Sequence, residues 1–215
     1  MVAESKQIKS KSRVKERGEV FTNEREVKAM LDLIGEKSYD PSATFLEPSC
    51  GTGNFLIEIL RRKISTVKKR CENSTDRDVY DSQLIQAVSS IYAVDIACDN
   101  VEESRKRLLK EAEDTNPFGS DPLLSLNLEW ILEQNIVCGN MLDFKTVGGE
   151  NIVFNQYVFE SSDDNGILDI VSYVPFEFKH VTVGKYKKDQ KTEVHNEPCG
   201  DMVTCRFTEL YRSKK

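Results

Sequence analysis

Glu47, Asp95 and Asn140 each close a short apolar run, and two glycines follow the first of them within six positions. The stretch "LEPSCGTGNF" (46–55) lies between an extended segment and a helical one, where Gly51 and Gly53 let backbone come close to a ligand. It is no phosphate cradle. The third glycine of GxGxxG and the lysine of a P-loop are both missing, and an acid just ahead of the turn would oppose a phosphate. A carboxylate there suits a ligand with an amino group or hydroxyls. Asp95, at the tip of the second run, is placed to accept hydrogen bonds from a ribose diol, and Asn140 to read a base edge.

The elements that must position these residues follow from periodicity. Val27, Met30, Leu31 and Ile34 recur at helical spacing, with Thr22 or Asn23 as N-cap and Gly35 near the end. A turn at 39–42 leads to a short strand at 43–47, and "NFLIEILRRKISTVKKR" follows as an amphipathic helix. Helices are expected at 79–90, 100–113 and 123–134, strands at 91–96 and 135–140, and a loop at 114–122. Alternating strands and helices imply βαβ units and a parallel sheet with helices on both faces, whose ligand sits beyond the carboxyl ends of the strands. Glu47, Asp95 and Asn140 then share one edge. After residue 150 the segments turn β-rich and aromatic, which suggests completion of the sheet or a small appendage over 151–215, behind a main domain at 18–150 and a flexible basic arm at 1–17.

Composition bounds the function. With 39% hydrophobic and 31% charged residues, the 215-residue chain can bury a core, and no apolar run reaches the ~20 residues of a membrane span. The charged N-terminus has no secretory h-region, so a cytoplasmic location is expected. A net charge of −6 argues against a small basic nucleic-acid binder. Two basic clusters, at 6–17 and 61–70, read as a solvated arm and an exposed helix end, or as phosphate contacts on one surface. The six cysteines contain no CxxC pair and read as reduced, mostly buried thiols. His180, His195, Cys199 and Cys205 match no standard zinc spacing, so no metal is expected.

Ribose, adenine and a cationic amino acid together describe S-adenosylmethionine. The chain resembles the amino-methylating (adenine-N6) DNA methyltransferases of restriction-modification systems in which the cofactor region comes first. "GEVFTN" (18–23), "FLEPSCGTGNFLIEIL" (45–60), "IYAVDI" (91–96) and "NIVCGNMLDF" (135–144) carry the resemblance, in family order, over about two-thirds of the chain. It implies a Rossmann-like sheet and these roles. Thr22, with Phe21 alongside, binds the methionine carboxylate; Glu47, beside Pro48 and Cys50, faces the amino group; Gly51 and Gly53 admit the cofactor. Asp95 holds the ribose, Ile96 packs on the adenine and Asn140 meets its exocyclic amine. Structural alternatives stand beside these roles, with Thr22 and Asn23 as helix caps and Phe21 and Ile96 as core.

The family's catalytic Asn/Asp-Pro-Pro-Tyr/Phe motif, which holds the flipped base, is missing. "NPF" (116–118) precedes the third strand and reads as a loop. "NIVFNQY" (151–157) is in the right place, and Asn155 with Tyr157 is the candidate remnant, though without both prolines. The 60–70 remaining residues are too few for a target-recognition domain. Three functions follow: a DNA adenine methyltransferase or methylase subunit needing DNA and a recognition or catalytic partner; a truncated cofactor-binding module; or methyl transfer to a non-DNA acceptor.

Overall fold

A computed structural model describes residues 9–17, 19–119, 121–162, 166–183 and 191–213. The fold is mixed α/β, with helices and two sheets. After helix α1 (Lys11–Arg17), α2 (Glu24–Ile34) begins where the Asn23 side chain accepts the Arg25 amide at 3.0 Å. Its buried Val27 and Leu31 face α3 (Asn54–Arg70). Thr22 is therefore not the cap, and its side chain is left for other work.

Strands β1 (Phe45–Glu47), β2 (Ile91–Asp95) and β3 (Ile136–Asn140) lie side by side and parallel, with Glu47 opposite Ala93 and Asp95 opposite Cys138. Helices α4 (Arg77–Ser89), α5 (Cys98–Asp114) and α6 (Pro122–Asn135) make the connections along with α3. The carboxyl ends at Glu47, Asp95 and Asn140 share one edge, as the periodicity requires. Alternation along β2 sorts its two faces. Ile91 and Ala93 join the large helical core, whereas Tyr92 and Val94 pack with Ile152 and Phe154.

That second face departs from the expectation of helices on both sides. Beyond the two-residue β4 (Lys145–Thr146), antiparallel to β3, it is covered by an antiparallel sheet. The sheet comprises β5 (Val153–Glu160), β6 (Ile170–Val183), β7 (Lys191–Pro198) and β8 (Val203–Arg206). The central β6 pairs with β5 on one edge and with β8 and β7 in succession on the other. Phe154 and Phe176 meet Tyr92, and they and Phe178 meet one another, at ring separations of 5.6–6.2 Å that weld the two sheets together.

Half of the basic cluster at 61–70 is structural. Arg62 is buried against Asp32 (2.6 Å) and Glu58 (3.2 Å), and Arg61 reaches Glu111 at 2.9 Å. Lys63 is fully buried and donates to the carbonyls of Asp40, Pro41 and Ala43 and to the Ser90 hydroxyl, at 2.5–3.4 Å. It thereby fastens the turn that feeds β1 to the residue before β2. Lys68, Lys69 and Arg70 stand exposed at the far end of α3, about 25 Å along the helix from its start. They are set apart from the described arm residues Lys9 and Arg13, which dock on the start of α5.

The cysteines correct the expectation of six reduced thiols. Cys98 and Cys138 are joined by a disulfide, with Cα atoms 5.1 Å apart. Cys50 and Cys71 are buried free thiols, whereas Cys199 is exposed and Cys205 partly so. Forty residues separate the bonded pair in sequence, but a βαβ crossover brings the start of α5 beside β3. Closing a loop of that length is worth about 4 kcal/mol on the chain-entropy account. His195 pairs with Glu193 at 3.5 Å, and the His180 side chain lies outside the described residues. Among the described residues no cluster of His, Cys, Asp and Glu is arranged to hold a metal.

Replacing Lys63 with Met leaves the Ala43 carbonyl without its donor and strips a second one from Asp40 and Pro41, which keep the Ala43 amide and the Ser90 hydroxyl. Lys63→Met should cost about 2–3 kcal/mol, read as a lower chemical-denaturation midpoint. Burial also pulls the Lys63 pKa from 10.5 down to about 7, against the pull of Asp40. The unfolded chain holds this proton more tightly than the folded one, so Lys63 contributes a rise in stability with pH between about 7 and 10.5, opposed above about 9 by the buried Cys50 thiol. That slope should be absent from Lys63→Met; an unchanged slope would mean another group generates it.

Candidate functional site

At the carboxyl edge of the parallel strands the chain after β1 doubles back before entering α3. Gly51 (φ +53°) and Gly53 (φ +87°) take left-handed backbone conformations that side chains disfavour. A Cβ on Gly51 would lie 3.0 Å from the Phe21 ring, and one on Gly53 would collide with the Ser104 hydroxyl of α5. Both glycines are needed for close packing as well as for φ. Phe21 thus lies directly against the turn, drawing residues 20–22 to the same place as 47–55.

Asp95 holds this edge together. Its carboxylate accepts the Gly51 amide at 2.8 Å, the Ala97 amide at 2.8 Å and the Asn100 side-chain amide at 3.3 Å. From 54 on, the turn is clamped by residues that no sequence pattern marked. The Asn54 amide donates to the Thr22 carbonyl at 2.9 Å, and Arg107 of α5 donates to the Thr52 carbonyl at 2.5 Å and to the Asn54 side chain at 2.9 Å. Arg107 lies in the helix expected at 100–113, which no functional reading singled out. The only signal that could have found it was its place on the α5 face that meets α3.

Between these pieces lies a cleft of about 100 Å³, lined by Phe21, Thr22, Glu47, Cys50, Gly51 and Asn54 among others. Glu47 is half-buried; burial raises its pKa above the usual carboxylate range, opposed by the Ser49 amide that it accepts at 3.3 Å. No basic side chain pairs with Glu47 among the described residues. Cys50 is inert as a nucleophile: burial, with Asp95 and Glu47 adding negative charge, pushes its thiol up to about 12. Pro48 is exposed on the turn.

The remaining edge residues form the rim. Ile96 is 59% exposed beside Asp95, so it is not core. Asn140 caps its own turn, accepting the Leu142 amide at 3.0 Å and donating to Asp143 at 3.3 Å. The basic arm closes the other side. Arg13 pairs with Glu19 (2.6 Å) and Asp99 (2.7 Å), and Lys9 with Glu103 (2.9 Å) and Asp99 (3.3 Å). Asn100 donates to both Glu19 and Asp95, so one polar network runs from the arm to the glycine turn. These two arm cations are spent inside the molecule; residues 1–8 lie outside the described ones.

Asn155 and Tyr157 are not brought to this cleft. Ile152 packs near Val94 and Phe154 against Tyr92, so β5 runs down across β2, away from the carboxyl edge. The Asn155 carbonyl accepts the Tyr92 hydroxyl at 2.8 Å, and the Tyr157 ring packs on Trp130 and Tyr173. Tyr157 and Phe159 border a hollow shared with Ser89 and Ser90, just before β2 begins. Both candidates therefore sit toward the amino ends of the strands. The "NPF" stretch is a structural loop, as its position suggested: Asn116 donates to Asp81 at 2.8 Å and accepts the Phe118 amide at 2.9 Å.

The tight contact at Gly53 makes a direct test of the turn. Gly53→Ala should destabilise the fold by about 2 kcal/mol or more through φ strain and the collision with Ser104. Pairing it with Ser104→Gly should recover part of that loss in a double-mutant cycle, whereas strict additivity would mean that the two residues do not touch. No protein-family model matches the chain, and neither the curated proteins nor the solved structures contain a significant match.

Proposed function

We propose that the chain is an S-adenosylmethionine-binding protein of the adenine-DNA-methylating type, built on a Rossmann-like sheet, and that its methyl-acceptor site is completed by a partner. The observation that carries this reading is Glu47. It is a half-buried carboxylate with no basic partner among the described residues, in a cleft walled by two left-handed glycines and Phe21. A buried carboxylate is costly unless a cation meets it. The cofactor's α-ammonium is such a cation, and the Thr22 hydroxyl and turn amides suit its carboxylate. Beyond the cleft, Asp95, Ile96 and Asn140 follow along the strand ends in the order ribose, adenine face and adenine edge.

In this arrangement Asp95 serves two ends. Three of its acceptor positions are taken, by two backbone amides and the Asn100 side chain, and a carboxylate has about four. The remaining one is available to a ribose hydroxyl. Cofactor binding is the part of the chemistry that this chain's residues support: they orient the amino-acid end and shelter it from water. Methyl transfer further requires acceptors for the target amine beside the sulfonium.

The placement of Asn155 and Tyr157 at the opposite edge favours the module reading over a self-sufficient enzyme. A partner subunit would then bring both the groups that hold the base and the surface that reads DNA. The unspent basic residues at the end of α3 are too distant to guide a nucleic acid to the cleft.

Calorimetric titration with S-adenosylmethionine tests the reading. The wild type should bind saturably, and Glu47→Gln should weaken binding about 10-fold or more through loss of a charge-assisted hydrogen bond of ~1.5–3 kcal/mol. Affinity should also fall as the solution is acidified through the raised Glu47 pKa, because the neutral acid no longer attracts the ammonium. Equal affinity in wild type and Glu47→Gln, or no binding by a folded protein, would overturn it. Adding a candidate partner and a DNA duplex, with labelled methyl as readout, separates the subunit from the silent module.

A further inference from the structure

We propose that Cys98 and Cys138 form a reversible dithiol–disulfide site on the rim of the cleft, a covalent modification site whose oxidant is a small-molecule disulfide of the glutathione class. Their bond joins the first residue of α5 to the middle of β3, between the strand ends that carry Asp95 and Asn140. The two residues following Cys98 are Asp99, which holds Lys9 and Arg13, and Asn100, which links Glu19 to Asp95. Whatever fixes Cys98 therefore fixes the anchor of the arm and the support of the glycine turn.

Location also makes the pair reactive. Cys98 is exposed, whereas Cys138 is only partly so. Cys98 occupies the first turn of a 17-residue helix, where free backbone amides and the helix dipole stabilise a thiolate. No such setting surrounds Cys50, held as a thiol by burial and by the charges of Asp95 and Glu47. The remaining exposed thiol, Cys199, lies on the antiparallel sheet and has no part in the cleft.

The exchange balances in two steps. In oxidation, the Cys98 thiolate attacks one sulfur of glutathione disulfide, forming a mixed disulfide and releasing one glutathione thiolate. The Cys138 thiolate then attacks the Cys98 sulfur, forming the Cys98–Cys138 bond and releasing the second glutathione thiolate. Two protein thiols lose two protons and two electrons, and one glutathione disulfide becomes two glutathione molecules. Reduction is the reverse, beginning at the exposed Cys98 sulfur.

The site stands independently of cofactor binding, and its test needs no cofactor. The full chain is equilibrated in glutathione buffers of graded thiol-to-disulfide ratio, approached from both oxidised and reduced protein. Alkylation and mass spectrometry then count the thiols. Oxidised protein should carry four alkylated cysteines and a linked 98–138 peptide pair, and reduced protein six. Both approaches should converge on the same fraction at each ratio. The oxidised form should melt at a higher temperature and show slower amide hydrogen exchange at 97–103 and in the arm. Cys98→Ser and Cys138→Ser should each abolish these differences, while Cys199→Ser should keep them. The proposal is overturned if the bond does not form, if Cys199 is the partner instead, or if the bond forms but glutathione never reduces it.

Discussion

The Asp95 carboxylate is the joint on which the edge of the sheet depends. Two backbone amides from segments more than forty residues apart, Gly51 and Ala97, converge on it at 2.8 Å each. Each would otherwise be an unpaired donor at a buried chain reversal, where a missing partner costs about 1–3 kcal/mol. The acid is thus the reason that the turn after β1 and the start of α5 close against each other. Through Asn100 the same carboxylate is tied to Glu19, Arg13 and Lys9, so the position of the arm is set from the same point. A residue at a strand tip that suits a ribose diol is also a structural clamp. Removing Asp95 would disturb the turn before it disturbed any ligand, which makes Glu47 the cleaner reporter of binding.

The second constraint is the way in which the chain leaves β3. A parallel return needs a crossover of a dozen or more residues, usually a helix. Between Asn140 and Val153 the chain makes only a turn, the two-residue β4 and a second turn held by Thr146, Gly149 and Glu150. No helix intervenes, so β5 comes back across β2 in the opposite sense. Phe154 of β5, with Phe176 and Phe178 of β6, then fills the face that a second helical layer would have taken. The same reversal carries Asn155 down to the amino ends of the strands. One short connection therefore decides both how the sheet is covered and where Asn155 and Tyr157 fall.

The parallel half of the fold was legible because each of its elements has a local signal. The apolar spacing of α2 and α3, and the continuous apolar runs ending in Glu47, Asp95 and Asn140, are written within windows of 5–17 residues. What was not legible depends on pairs far apart in the chain. The Cys98–Cys138 bond spans forty residues, and the Arg107 clamp on Thr52 spans fifty-five. Neither spacing has meaning until α5 is laid beside α3 and β3. Strand β7, "KTEVHNEP", escaped because most of its residues are polar and those from 193 to 198 are exposed, and pairing with the edge of β6 makes it a strand. The direction of β5 escaped for the same reason: its alternation reads identically whichever way it runs.

Charge separates what this chain can do from what it needs. Three cations around the cleft, Lys9, Arg13 and Arg107, are engaged with carboxylates or carbonyls of the protein itself. The cleft is left with the acid Glu47 and the hydroxyl and amides around it, a lining that attracts an ammonium and repels a phosphate. A nucleic acid pays for contact with such a surface by losing counterion release and gaining repulsion. Any polyanionic acceptor must then be held by another surface and delivered to the cleft from outside. On the proposed function, the division of labour with a partner follows from this charge distribution as directly as from the missing prolines around Asn155. The cofactor's positive end and the acceptor's negative backbone call for opposite linings, and this chain supplies the first.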